Sequence, residues 1–151
     1  MAVTAEDVLV ALGAEEPDYR EAARTLGIES LPHLALLVRD DDEMLASKAA
    51  SLAAFVGGSQ ATEVLVAASE HPQLSVRAAV AHGAQRLDPL DAERVLTALL
   101  EDSEPSVTGL AIRSAAAVGT AELRARLTEI ARSSKSNELL REEARRGLGE
   151  A

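Results

Sequence analysis

Ser75-Val76-Arg77-Ala78-Ala79-Val80-Ala81-His82-Gly83-Ala84-Gln85-Arg86-Leu87 is the stretch from which the rest of the chain can be read. Val76, Ala79, Val80, Gly83, Ala84 and Leu87 fall at i, i+3, i+4, i+7, i+8 and i+11. On a helix turning every 3.6 residues these positions form one apolar stripe. Sliding the chain by 31 residues lays Leu45 over Val76 and Val107, Val64-Leu65 over Val95-Leu96, and Val56 over Leu87 and Val118. Apolar character recurs while the polar residues change, as expected of a repeated helical unit with a shared core.

Equivalent stripes are Leu45, Ala49, Leu52, Ala53, Val56 and Val107, Leu110, Ala111, Ser114, Ala115, Val118. Each follows a shorter apolar helix: Leu34, Leu37, Val38; Val64, Leu65, Ala68; Val95, Leu96, Leu99; and, later, Leu123, Leu127, Ile130. Asp40-Asp41-Asp42, His71-Pro72-Gln73 and Asp102-Ser103-Glu104-Pro105-Ser106 punctuate the two helices of a unit. Ser and Asp satisfy free N–H groups at a helix start, and Pro there loses no hydrogen bond. Gly57-Gly58, Asp88-Pro89 and Gly119 turn the chain into the next unit. The pattern predicts helix pairs 4–12 with 17–26, 30–39 with 43–56, 60–69 with 75–87, 91–101 with 106–118, and 121–133 with 138–148.

Composition agrees. Of 151 residues, 30 are Ala and 22 are Leu, against one Phe, one Tyr, no Trp and no Cys. So few aromatics argue against a β-sandwich or a base-stacking surface. Without cysteine there is no disulfide, thiolate zinc site or thiol nucleophile. Acids outnumber bases 25 to 15, giving a net charge of −10. That balance disfavours nucleic acid or an anionic membrane as principal partner. Residues 1–70 hold 13 acids and 4 bases, whereas the stretch from Arg113 to Arg146 holds 8 bases and 5 acids. Such polarity can steer a charged partner or let copies pack head to tail. No apolar run approaches the roughly 18 residues of a membrane span. Glu6 and Asp7, with no basic residue in Met1 to Leu12, do not fit a signal peptide, so the expected location is cytoplasmic.

Leu140-Arg141-Glu142-Glu143-Ala144-Arg145-Arg146-Gly147-Leu148-Gly149 resembles the second-helix signature of HEAT repeats: an apolar-Arg pair, an Ala three residues later, then Leu-Gly. Tyr19 to Gly27 is a version one residue shorter, and Ser75-Val76-Arg77 and Pro105-Ser106-Val107 resemble the start of the same helix. Thr108 stands where Arg is usual. The resemblance covers nearly the whole chain. It implies an all-α, right-handed α-α superhelix, an armadillo-like solenoid of about five helical hairpins. A single domain over 1–151 is expected, with repeats near 4–27, 30–57, 60–88, 91–119 and 121–149.

No catalytic constellation emerges. His33, His71 and His82 lie in no His-x-x-x-His frame, and no metal or cofactor is expected. Some HEAT-like hydroxylases hold di-iron on paired His-Glu dipeptides; here Glu70-His71 is reversed and occurs once. Asp40 to Glu43 lacks the alternation and glycine of a calcium loop and reads as helix capping. Gly57-Gly58-Ser59 has no following Lys-Ser/Thr, and no Gly-x-Ser-x-Gly elbow exists.

What remains is a surface. In HEAT-like stacks the second helices line the concave side. Positions outside the stripes align at a spacing of 31: Ser47, Ala78, Gly109; Ser51, His82, Arg113; Ala54, Gln85, Ala116. With Arg86 and Arg145 they suggest a groove of small residues edged by bases. Ser47, Ser51, His82, Gln85, Arg86, Gly109, Arg113 and Arg145 are the expected partner-binding residues, for an acidic or amphipathic segment of another protein. The expected function is therefore a non-enzymatic interaction scaffold. Alternatives are an accessory enzyme or lyase-like subunit using the groove, and a weak nucleic-acid binder through the basic C-terminal repeats. Homo-oligomerisation through the ends is compatible with each.

Overall fold

A computed structural model describes residues 2–150. Met1 and Ala151, the two ends of the expected 1–151 domain, lie outside the described residues. Among the described residues ten α-helices follow one another: α1 (Ala5–Leu12), α2 (Tyr19–Leu26), α3 (Leu31–Leu37), α4 (Glu43–Val56), α5 (Gly58–Ala68), α6 (Leu74–Gly83), α7 (Pro89–Leu99), α8 (Pro105–Val118), α9 (Ala121–Arg132) and α10 (Glu138–Gly147). Two 3₁₀ turns, Gly27–Ser30 and Ala84–Arg86, join α2 to α3 and follow α6. Among the described residues there is no strand.

Local chemistry starts the helices where the sequence marks them. Thr4 and Asp7 form a reciprocal capping box on α1. Asp42 accepts from the N–H groups of Met44 and Leu45, and Asp40 accepts from that of Asp42. Two members of the acidic run thus serve the start of α4. Asp18, Thr120 and Asn137 cap α2, α9 and α10 in the same way. Pro89 and Pro105 open α7 and α8. Gly57 and Gly58 both have positive φ, 74° and 89°, so this turn needs two residues without a Cβ.

The helices form two layers. The first helices α1, α3, α5, α7 and α9 pack side by side in chain order, and the second helices α2, α4, α6, α8 and α10 do the same. A continuous core runs between them, with Leu34, Leu52, Leu65, Val76, Leu96, Ile112, Leu123 and Leu127 all buried. The expected stripes face this core: Val76, Val80, Gly83, Ala84 and Leu87 are buried, and Ala79 is half-buried.

Two expectations need correction. The helix predicted to reach Leu87 ends at Gly83, tightens into a 3₁₀ turn, and reaches Leu87 in extended backbone. Asp88 precedes a proline, which disfavours helical backbone at that position and ends the run early. Ala54, expected to lie outside the core, is buried. A Cβ added to Gly83 would lie 2.8 Å from the Ala54 Cβ, so α4 and α6 approach closely here. Gly147 and Ala116 repeat the arrangement between α10 and α8, at 2.9 Å, and Ala116 is half-buried. The second helices α4, α6 and α8 each pack against a second helix on either side, so a single buried stripe is too narrow a description.

Hydrogen bonds tie successive hairpins together. His33 Nε2 donates to the Val3 carbonyl at 3.0 Å, His71 Nε2 to the Asp40 carbonyl at 3.0 Å, and Ser114 Oγ to the Ala81 carbonyl at 2.6 Å. Their partners lie 30, 31 and 33 residues apart. Arg94 pairs with Glu63 between α7 and α5, 31 residues apart. The sequence period is therefore also the period of the bonds between hairpins.

Candidate functional site

The second helices expose the charged side chains that the cores of these hairpins cannot hold. Arg113 and His82 are exposed on α8 and α6, where the 31-residue register places them. The Arg113 Nε donates to Glu143 Oε1 on α10 at 2.9 Å, and Glu143 Oε2 accepts from Arg146 at 3.0 Å. Beside this chain of charges runs a groove of about 400 Å³ between α8 and α10, walled by Gly109, Arg113, Leu139, Leu140, Glu143 and Arg146. Gly109 is buried, yet a Cβ built on it would meet nothing within 4 Å. Its missing side chain is thus open space on the groove floor. Leu139, 75% exposed, supplies an apolar wall.

Toward the N-terminal end, Arg86 leaves the 3₁₀ turn and lays its guanidinium over the Phe55 ring, 3.8 Å from the centroid. Arg20 of α2 approaches the same ring at 5.8 Å. Tyr19 stacks on Phe55 at 5.8 Å between centroids, with the planes 23° apart. Burial raises the Tyr19 phenol above its ordinary pKa, an effect that the neighbouring Ser51 hydroxyl partly offsets. Ser51 is half-buried. Ser47 is half-buried too, and its Oγ is buried without a hydrogen-bond partner among the described residues. Gln85 is exposed and its Nε2 donates to the His82 carbonyl at 3.0 Å.

The structure thus brings Gly109 and Arg113 into one groove. Arg86 belongs with Phe55, and Arg145 lines a separate cleft between α9 and α10 with Thr128, Arg132, Ser133 and Arg141. Sequence reasoning passed over Phe55, Arg20, Leu139 and Glu143. Phe55 was within reach, because a shift of 31 residues lays it over Arg86.

The edge formed by the inter-helix turns is structural. Arg77 Nε donates to Asp102 Oδ2 at 2.8 Å, and its Nη1 donates to the carbonyls of His71 and Pro72. Burial works to raise the Asp102 carboxyl, but the Arg77 guanidinium and the Glu104 N–H outweigh it and hold the group below its ordinary 3.8. Arg141 performs the same task two hairpins later, donating to the carbonyls of Ser133 and Ser136. Thr108 replaces Arg in the intervening unit and uses its hydroxyl on the Asp102 carbonyl at 3.0 Å. That bond accounts for the departure from the repeat pattern. Among the described residues, no group of three or more His, Asp and Glu side chains is placed to hold a metal ion. No helix among them is long and apolar enough to cross a membrane.

A family model described as HEAT repeats matches residues 68–149. No curated protein matches the chain.

Proposed function

Since the chain belongs to the HEAT-repeat family, whose members are commonly protein-interaction scaffolds and generally not enzymes, we propose that its second-helix face holds a segment of a partner protein. The observation that carries this reading is the groove between α8 and α10. Its floor is opened by Gly109, and its walls combine Leu139 with Arg113 and Arg146. An apolar side chain of the partner fits over Gly109 beside Leu139, while its polar neighbours meet the Arg113–Glu143–Arg146 ion pairs and Glu142 along the groove. His82 and Gln85 continue the face toward Arg86. Residues 1–151 form one domain of five helical hairpins in this reading, acting in the cytoplasm without a cofactor.

The test compares the wild-type chain with an Arg113→Glu/Gly109→Trp variant as baits for affinity capture. Circular dichroism checks that both are helical, and mass spectrometry identifies what each retains. A partner lost by the variant alone supports the groove. A partner retained equally by both overturns this placement.

A further inference from the structure

Two arginines without a carboxylate partner share the chain's single phenylalanine. Among the described residues Arg24, Arg77, Arg94, Arg113, Arg126, Arg141 and Arg146 are ion-paired and the other arginines are not, but of those others Arg20 and Arg86 are the two that lie over an aromatic ring. Three elements converge to build the spot: α2 supplies Arg20 and Tyr19, α4 supplies Phe55, and the turn after α6 supplies Arg86. Next to the ring lies a cleft of about 310 Å³ walled by Ala23, Gly27, Ile28 and Val56 together with Arg20 and Arg24. Not one acid lines it, and Ile28 is 66% exposed at its rim. Arg24 is already held by Glu21 through both of that carboxylate's oxygens.

We propose that Arg20 and Arg86, seated on Phe55, anchor an acidic peptide segment whose carboxylate is followed by an aliphatic side chain. This deepens the interaction-module reading and rests on it. A guanidinium lying on an aromatic face keeps its N–H groups in its own plane, free to donate to a carboxylate. Two such donors around one ring favour a charged acceptor over an amide, because charge-assisted hydrogen bonds are the stronger kind. The aliphatic residue enters the cleft beside Ile28 and Val56. Tyr19 braces the ring from within the fold, so the subsite is formed before the peptide arrives.

The probe is a short fluorescein-labelled peptide alternating glutamate and leucine, with the glutamine-for-glutamate peptide as its control. Fluorescence anisotropy against the full chain reads both. The acidic peptide is expected to bind at least about tenfold more tightly than its control, and Arg20→Gln or Arg86→Gln to weaken it by about tenfold each. Arg86→Lys keeps the charge but not the planar stack, and is expected to recover only part of the loss. Circular dichroism confirms that each variant is folded. Equal binding of the two peptides, or affinity unchanged in both glutamine variants, overturns the proposal. If the native partner is still lost with Arg113→Glu/Gly109→Trp, the broader module stands and only the Phe55 subsite falls. If the peptide discriminates as expected while that groove variant keeps its partner, the groove falls instead.

Discussion

The imidazole of His71 gives its Nε2 proton to the backbone carbonyl of Asp40, 31 residues earlier, while its Nδ1 accepts the N–H of Gln73 at 3.0 Å. One ring therefore closes its own turn and joins it to the preceding turn. It does so while only 8% exposed. Replacing it with alanine leaves a donor and an acceptor short of partners, at a cost of about 1–3 kcal/mol. Thermal unfolding of His71→Ala should show that loss, and a melting temperature equal to wild type would contradict it.

Arg77 and Asp102 predict an acid-sensitive step. The Asp102 carboxyl is held below 3.8 in the folded chain, so its contribution to stability is complete above that value. It is lost as pH falls through the folded-state pKa. Asp102→Asn should destabilise the chain at neutral pH by roughly 3 kcal/mol, since it strands a largely buried guanidinium. Below pH 3.8 the difference between wild type and variant should shrink. Urea titrations at neutral and acidic pH measure both.

The close approach of α4 and α6 gives a reciprocal prediction. Gly83→Ala forces a Cβ to 2.8 Å from that of Ala54, which costs about 1–3 kcal/mol. Combining it with Ala54→Gly removes the clash and should restore part of the loss, as a double-mutant cycle would report. Additive effects of the two changes would contradict a shared contact.

Gly109 separates stability from binding. Its φ is ordinary and its Cβ direction is empty, so Gly109→Ala should stabilise α8 by up to about 1 kcal/mol. Gly109→Trp fills the groove instead, and should abolish partner capture without unfolding the chain. Calorimetry and the capture experiment distinguish the two.

Much of the architecture was legible because apolar identity repeats where the layers need it. Val76, Val107 and Leu45 sit one period apart in the chain and occupy corresponding positions in α6, α8 and α4. The early end of α6 was less visible, since Ala84-Gln85-Arg86 are acceptable helix residues and the effect of Pro89 acts from beyond them. The candidate site was harder still. Arg113 looks like a free charge in sequence, but α10 brings Glu143 to it from 30 residues away. Arg145 could not be placed by the 31-residue register, because Leu140 follows Val107 by 33 and the last helix is displaced in phase. Phe55 resembles a core residue until Arg20 and Arg86 are seen above it.

The short reach of the bonds between hairpins also bears on how the chain comes to be folded during synthesis. From His33 with Val3 to Ser114 with Ala81, each of these bonds closes once about one more hairpin has left the ribosome. Among the described residues no helix has to wait for a distant partner, so loop-closure entropy stays small at every step and the topology favours rapid assembly. A half-made chain can accordingly hold its completed hairpins together while the next one is still being translated.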